Sequence, residues 1–261
     1  MARLSPLDRS VAGKVGIVTG AASGMGRATA HLFADEGAVV AATDVTLEGA
    51  ATVAEEILGA GGQAAAWALD VGDPERVTTV VADIAARFGG IDVLVNNAGI
   101  ALPAIVEGDG DAYEQAWDAT LNVNLRGHQR MVRAALPHLL ASSSGRIVNI
   151  ASTEGIGASR YNSPYVAAKH GVIGFTRALA VELGPTGITA NCVCPGPIRT
   201  GMTKGIPEDK KDTFAKRNVP LRRYGDPEEV AHATLSLSLP AMSYVNGAVL
   251  VADGGMTAKN D

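Results

Sequence analysis

The chain has 261 residues, of which 47% are hydrophobic, only 4% are aromatic and 31 are glycine. That is long enough for one large α/β core, and it suits a sheet covered by small-residue helices better than an aromatic-packed sandwich. A net charge of −5 without a long run of lysine or arginine argues against nucleic acid or anionic membrane as partner, and no apolar run reaches spanning length, so a cytoplasmic protein is expected.

Residues 1–12 read as a short polar arm without the apolar core of a signal peptide. Beyond it, short apolar runs predict strands over Val15–Thr19, Val39–Thr43, Ala64–Leu69, Val93–Asn96, Ile147–Ile150, Ile188–Val193 and Ala248–Val251. Most of these runs are continuously apolar, as in a parallel sheet covered on both faces. Helix-length segments fall between them, over Met25–Glu36, Leu47–Ala60, Pro74–Phe88, Tyr113–Leu140, Ser163–Leu183 and Pro227–Leu237. The alternation predicts a single-domain α/β fold: a Rossmann-like, doubly wound parallel sheet of about seven strands with helices on both faces. The segment 195–225 fits no βα unit, and its place after a strand end marks it as a substrate lid. Cys192 and Cys194 fall two apart inside the sixth strand, too close for an ordinary disulfide. His31, His128, His138, His170 and His232 are scattered, so no metal site is expected. Trp67 reads as core.

Three places along this pattern carry chemistry. The turn Thr19-Gly20-Ala21-Ala22-Ser23-Gly24-Met25-Gly26 follows the first strand and opens the first helix. Glycines there permit a tight turn and close backbone approach, and the helix N-terminus offers N–H groups and a positive dipole to a pyrophosphate. Asp44 ends the second strand, where a carboxylate accepts from an adenosine ribose and repels a 2′-phosphate. Val45 and Ser23 put no cation beside it, so NAD is expected over NADP. Tyr165 and Lys169 stand four apart on one helix face, with Ser152 thirteen residues upstream of the tyrosine. An ammonium so placed is expected to lower the pKa of a phenol that is otherwise near 10 and make it a proton-transfer group. Tyr161 is a decoy, since the residue four later is Tyr165 and not lysine.

The glycine turn, Asn96-Asn97-Ala98-Gly99, Ser152, Tyr165-x-x-x-Lys169 and Pro195-Gly196 together resemble the short-chain dehydrogenase/reductase family, in order and spacing, from Lys14 to Gly255. The resemblance implies that Asp70 and Val71 contact an adenine ring and that Asn97, Ala98 and Gly99 line the cofactor site. It also implies that Pro195, Gly196, Ile198 and Thr200 close over the nicotinamide. Asn124 matches the helix asparagine that completes a catalytic set with Ser152, Tyr165 and Lys169. In that set Tyr165 is the general acid/base, Ser152 orients the substrate oxygen, Lys169 also binds the nicotinamide ribose, and Asn124 holds a water.

The expected activity is hydride transfer between NAD and a secondary alcohol or ketone. An NADPH-dependent 3-oxoacyl-type ketoreductase and a catalytically silent NAD-binding sensor or scaffold are the alternatives. Leu102, Thr153, Glu154, Arg160, Asn162, Met202 and the helical part of the lid are candidates to line the substrate pocket, and Glu154 and Arg160 make it partly polar if they face inward. The resemblance implies a homotetramer. Leu125, Met131, Val132, Leu136, Leu139 and Leu140 on one long helix, and Val172, Ile173, Phe175 and Leu179 on the next, exceed what one sheet face needs. Gly171, Gly174 and Ala178 would permit close helix approach, and the tail Ala248–Gly255 is placed at a second interface.

Overall fold

The computed structural model describes residue 4 and residues 6–259. Seven strands, β1 (Val15–Thr19), β2 (Val39–Asp44), β3 (Gln63–Ala68), β4 (Val93–Asn96), β5 (Arg146–Ile150), β6 (Thr189–Pro195) and β7 (Val249–Ala252), form one sheet in the order β3-β2-β1-β4-β5-β6-β7. Every pairing is parallel. The strand order reverses between β1 and β4, which opens a crevice at the carboxyl edge of the sheet. Eight α-helices join the strands: α1 (Gly24–Asp35), α2 (Leu47–Gly59), α3 (Pro74–Phe88), α4 (Gly110–Leu121), α5 (Gly127–Ala141), α6 (Ser163–Leu183), α7 (Glu208–Asn218) and α8 (Pro227–Ser238).

Both sheet faces are covered, which explains the continuous apolar runs. Val18, Val40, Val95, Val148 and Val193 pack against Phe33 of α1, Val53 of α2 and Val230 of α8. Their strand neighbours Ile17, Leu94 and Ile147 point the other way, onto Ile84 of α3, Met131 of α5 and Leu179 of α6. Phe33 is fully buried, and burial of a side chain that size stabilises by about 2–3 kcal/mol. Local signals set the helix ends: Asp73 accepts from the Glu75 and Arg76 N–H groups ahead of Pro74, and Gly89 closes α3 in the left-handed region. Trp67 packs edge-on against Phe88 and belongs to the core.

Two expectations need correction. The helix expected over Tyr113–Leu140 is two α-helices separated by a five-residue π-helical turn, Asn122–Arg126. The helical part expected in the lid is α7, whose charged sequence has no apolar stripe to mark its bounds. Most of the apolar positions read as surplus are used inside the chain's own core: Met131, Val132, Leu139, Val172, Ile173 and Leu179 are buried, Leu125, Leu136 and Phe175 pack against the core, and Leu140 alone is half exposed. Gly171 likewise serves an internal contact, since a Cβ there would lie 2.8 Å from Leu125. Of the arm expected over 1–12, residues 1–3 and 5 lie outside the described residues, and Val11 is buried against the core. No helix among the described residues is long and apolar enough to cross a membrane.

Candidate active site

At the carboxyl edge of the sheet a cleft of about 720 Å³ runs from the β1–α1 turn to the lid. Gly20, Ser23, Gly24, Met25, Asp44, Asp70, Val71, Asn97, Ala98, Gly99, Ser152, Tyr165, Pro195, Gly196, Ile198 and Thr200 all line it, as the sequence predicts. Gly26, Asn124 and Lys169 do not; they stand behind the wall.

The turn at β1 is built by steric exclusion. Gly20 and Gly24 take φ of +66° and +54°, which side chains disfavour. A Cβ on Gly20 would lie 2.9 Å from Ala98 Cα, and one on Gly26 would lie 2.1 Å from the Gly20 carbonyl oxygen. Gly26 therefore lets helix α1 close against the turn and is a packing residue. Asn97 Nδ2 donates to the carbonyls of Thr19 (2.9 Å) and Gly20 (3.2 Å), and the Asn97 and Ala98 N–H groups both donate to Thr19 Oγ1 at 3.0 Å. Asp44 Oδ2 accepts from the Ala22 N–H at 3.0 Å. Thr46, not Asp44, caps the following helix. The glycine turn is thus fixed on both sides and leaves the first N–H groups of α1 facing the cleft, a ready acceptor site for a dinucleotide pyrophosphate. Among the described residues no lysine, arginine or histidine lines the cleft.

Across the cleft lies the reacting end. Ser152 opens a short 3-10 turn after β5, and its Oγ accepts from the Glu154 N–H at 3.1 Å. Tyr165 sits in the first turns of α6 and Lys169 one turn later, buried. Lys169 Nζ donates to the Ile150 carbonyl at 2.7 Å and lies over the Tyr165 ring, 5.5 Å from its centroid. Burial lowers the Lys169 pKa to about 8, opposed by the nearby Cys194 and Cys192 thiols. The expected depression of Tyr165 is not found. Burial raises its pKa above the ordinary phenol value; a hydrogen bond with Ser152 pulls it down, and the Glu154 charge pushes it further up. The lysine sits over the ring face rather than beside the hydroxyl, so spacing gave the neighbour and not the sign.

Asn124 occupies the π-helical turn and is fully buried, not a surface amide. Its Oδ1 accepts from the Ile100 N–H at 2.8 Å and its Nδ2 donates to the Ile100 carbonyl at 2.7 Å. It ties the helix break to the wall of the cleft beside Gly99. Of the substrate candidates, Leu102 and Met202 line the cleft, Thr153 is buried, Glu154 and Asn162 are half-buried, and Arg160 is exposed. Sequence reasoning missed Val45, Ile100, Ala101, Val123 and Pro197, which also line it. Each follows or adjoins a residue already picked out, and that adjacency was their signal.

The lid closes over this edge. Gly196 packs against Asp253, where a Cβ would come within 2.6 Å of the aspartate Cβ. Thr200 meets Gly24 across the cleft mouth. Glu208 at the start of α7 holds Arg199 at 2.6 Å and the buried Lys211 at 2.7 Å, which ties the lid helix to the segment leaving β6.

A family model described as enoyl-(acyl carrier protein) reductase matches residues 20–257. The 3-oxoacyl-[acyl-carrier-protein] reductase of Thermotoga maritima is 42% identical over 94% of this chain and 98% of its own. Cis-4-hydroxycyclohexanecarboxylate dehydrogenase of Sinomonas cyclohexanicum is 42% identical over 97% of this chain and 100% of its own. Among solved structures, a protein from Beutenbergia cavernae assigned as an NAD(P) dependent gluconate 5-dehydrogenase, with NADP bound at low occupancy, superposes with a TM-score of 0.89. It is 38% identical, and the match covers 97% of this chain and 100% of that one.

Proposed function

The chain belongs to the short-chain dehydrogenase/reductase family, and from that premise we propose that it is an NAD-dependent dehydrogenase of secondary alcohols. It is an oxidoreductase of that family, acting on hydroxyl or keto groups. The observation that carries the finer reading is the cation-free cleft with Asp44 on its nucleotide wall and two hydroxyls, Ser152 and Tyr165, on the wall opposite.

The fit to a nicotinamide dinucleotide rests on the glycine turn. Its backbone lies where a Cβ would collide, and the opening N–H groups of α1 supply positive potential without a side-chain cation. Gly20, Ser23, Gly24 and Met25 would hold the pyrophosphate and Asp44 the adenosine ribose. Asp70 and Val71 would flank the adenine. Asn97, Ala98 and Gly99, with Pro195, Gly196, Ile198 and Thr200, would enclose the nicotinamide end. Once bound, that group supplies the hydride acceptor or donor.

The chain's own residues do the rest. Tyr165 takes the hydroxyl proton in oxidation and returns it in reduction. Its raised pKa in the buried site favours the protonated phenol, ready to donate to a ketone. Ser152 donates to the substrate oxygen and orients it. Lys169, charged at neutral pH and anchored on Ile150, keeps a positive charge beneath the tyrosine ring. Asn124 fixes Ile100 and the cleft wall, and the N–H and the Oδ1 lone pair left over from its two bonds to Ile100 would seat a water beside the lysine.

A ketoreductase of the 3-oxoacyl type, run on NADPH, draws support from the name of the Thermotoga relative. Asp44 and Val45 oppose it, because a carboxylate and an apolar side chain meet the position of a 2′-phosphate. The test is a screen of secondary alcohols with each cofactor, alongside reduction of a 3-oxoacyl thioester with NADPH. NAD is expected to exceed NADP in kcat/KM by at least about tenfold, the weight of one hydrogen bond to a charged group. Equal efficiency with NADP would overturn the preference.

The assembly we propose is a homotetramer. Gly174, Ala178 and Val181 form an exposed small and apolar stripe on α6, and Leu250 and Val251 are partly exposed on the edge strand β7. Light scattering at micromolar concentration should give about four chain masses, and a monomer would refute it.

A further inference from the structure

The reacting end of the cleft is anchored so that apolar side chains face it from both walls. On one wall Asn124 holds both main-chain polar groups of Ile100. Four residues on, the Ala104 N–H donates to the Tyr161 carbonyl at 2.9 Å, and Ala104 bridges Asn162 at the head of α6. Leu102 is suspended between these anchors, beside the start of the helix that carries Tyr165, and it lines the cleft while 37% exposed. On the other wall Met202 sits in the short 3-10 turn Gly201–Thr203 of the lid. Thr203 Oγ1 fixes that turn by donating to the Ile198 carbonyl at 2.8 Å and accepting from the Thr200 N–H at 3.0 Å. Met202 lines the cleft while 55% exposed.

Charge is confined to the other end. Among the described residues Asp44 and Asp70 are the charged side chains that line the cleft, and neither Lys169 nor Glu154 does. Asp44 ends β2 and Asp70 follows β3, whereas Ser152 follows β5. Three and four strand spacings, about 14 and 19 Å, therefore separate these carboxylates from the reacting hydroxyls. Thr203 is committed to its own turn and Thr200 meets Gly24 at the nucleotide end. Ser152 and Tyr165 remain for the substrate, and one oxygen takes both. A second hydroxyl would give up water on entry and meet Leu102 or Met202, and a carboxylate would give up more and meet no cation. A methylene gains instead, by about fourfold in affinity for each one buried. Exposed apolar side chains facing each other across a cleft are left for such a ligand to cover.

We propose that the reacting hydroxyl is the only polar group this end of the site admits, so that the substrates are uncharged secondary alcohols with a hydrocarbon body, selected by Leu102 and Met202. This rests on the alcohol-dehydrogenase reading and narrows it. The carbinol carbon gives its hydride to NAD and its hydroxyl proton to Tyr165, and a ketone with the same hydrocarbon body leaves. Leu102 and Met202 act as specificity residues and take no part in the proton transfer.

The test compares three ring alcohols that share the carbinol and differ at the far carbon: cis-4-methylcyclohexanol, cis-1,4-cyclohexanediol and cis-4-hydroxycyclohexanecarboxylate. Oxidation is followed with NAD and with NADP, and binding of each compound to the NADH complex is measured by calorimetry. Counted per carbinol, the wild type should favour the methyl compound over the diol by at least about tenfold in kcat/KM, mainly through KM. It should favour the methyl compound over the carboxylate by at least about a hundredfold. Leu102→Asn and Met202→Asn put an amide on the wall, and at least one of them should bring the methyl-to-diol ratio within about threefold of one. Leu102→Met, which keeps the wall apolar, should preserve the ratio. Thermal melts and NADH affinity of the variants control for folding. A wild-type preference for the diol or the carboxylate, an unchanged ratio in both asparagine variants, or binding of none of the three compounds overturns the proposal. Binding in the order methyl, hydroxyl, carboxylate without oxidation by either cofactor would instead sink the alcohol-dehydrogenase reading and leave the selection standing.

Discussion

The two ends of the cleft are built by different means. At the nucleotide end the shape comes from backbone: glycines in the left-handed region, a helix N-terminus, and an asparagine whose side chain donates to main-chain carbonyls. At the reacting end it comes from side chains whose charges and contacts depend on their surroundings, among them Tyr165, Lys169, Glu154 and the ion-paired lid. Backbone architecture tolerates almost no substitution, because a Cβ has nowhere to go. Side-chain architecture tolerates substitution in shape and fails in chemistry.

The sharpest test of that contrast is Tyr165→Phe. Removal of the one proton-transfer group should lower turnover by at least about a thousandfold, while NAD affinity, read by fluorescence titration, stays within about threefold. Retention of a tenth of the activity would show that the reacting end does not depend on this hydroxyl. Gly26→Ala should do the opposite. With its Cβ 2.1 Å from a carbonyl oxygen, the turn must distort, at a cost of about 3 kcal/mol in urea unfolding, and NAD binding should weaken with it. A variant of wild-type stability would mean the turn yields more easily than its packing indicates.

A smaller effect concerns His128 in the first turn of α5. Burial, with the nearby Lys169 charge, lowers its pKa to about 3, opposed by the Ala98 carbonyl. The folded state therefore refuses a proton that the unfolded chain accepts below about pH 6.5, so stability is full above that pH and falls as the pH drops toward 3. Lys169, lowered to about 8, gives up its proton in the folded state before the unfolded chain does, so it adds stability as the pH rises above about 8 and adds no slope below 7. Between pH 7.5 and 5.5 the wild type should lose about 1 kcal/mol, and His128→Leu should lose little of that. An equal slope in both proteins would assign the dependence to other groups.

The same contrast decides what could be read from the sequence. The strands were legible because burial on both faces leaves an unbroken apolar run, and β1 and β4 fall on their expected bounds. The glycine turn was legible because glycine at fixed spacing records a steric demand directly. The π-helical turn left no such record: the pattern over Tyr113–Leu140 reads as one continuous helix, and the turn shows only in the structure, where Asn124 bonds Ile100. The bounds of helix α7 were hidden because it is held by the Arg199–Glu208–Lys211 ion pairs and the edge-on stacking of Phe214 on Tyr224, not by an amphipathic stripe. The direction of the Tyr165 shift was hidden for a third reason. Spacing along a helix says which groups are neighbours, but not how dry the pocket is or where the ammonium points.

The π-helical turn also sets how the chain tolerates changes of length. Ala116 on α4 and Ala135 on α5 are both buried, nineteen positions apart. At about 100° per residue that separation would leave them about 100° out of phase on an unbroken α-helix. One residue taken up as slack in the turn returns them to the same side. A single-residue deletion between Asn122 and Arg126 would thus restore a regular helix with the two positions still in phase, whereas a deletion elsewhere in α4 or α5 would turn one buried face toward solvent.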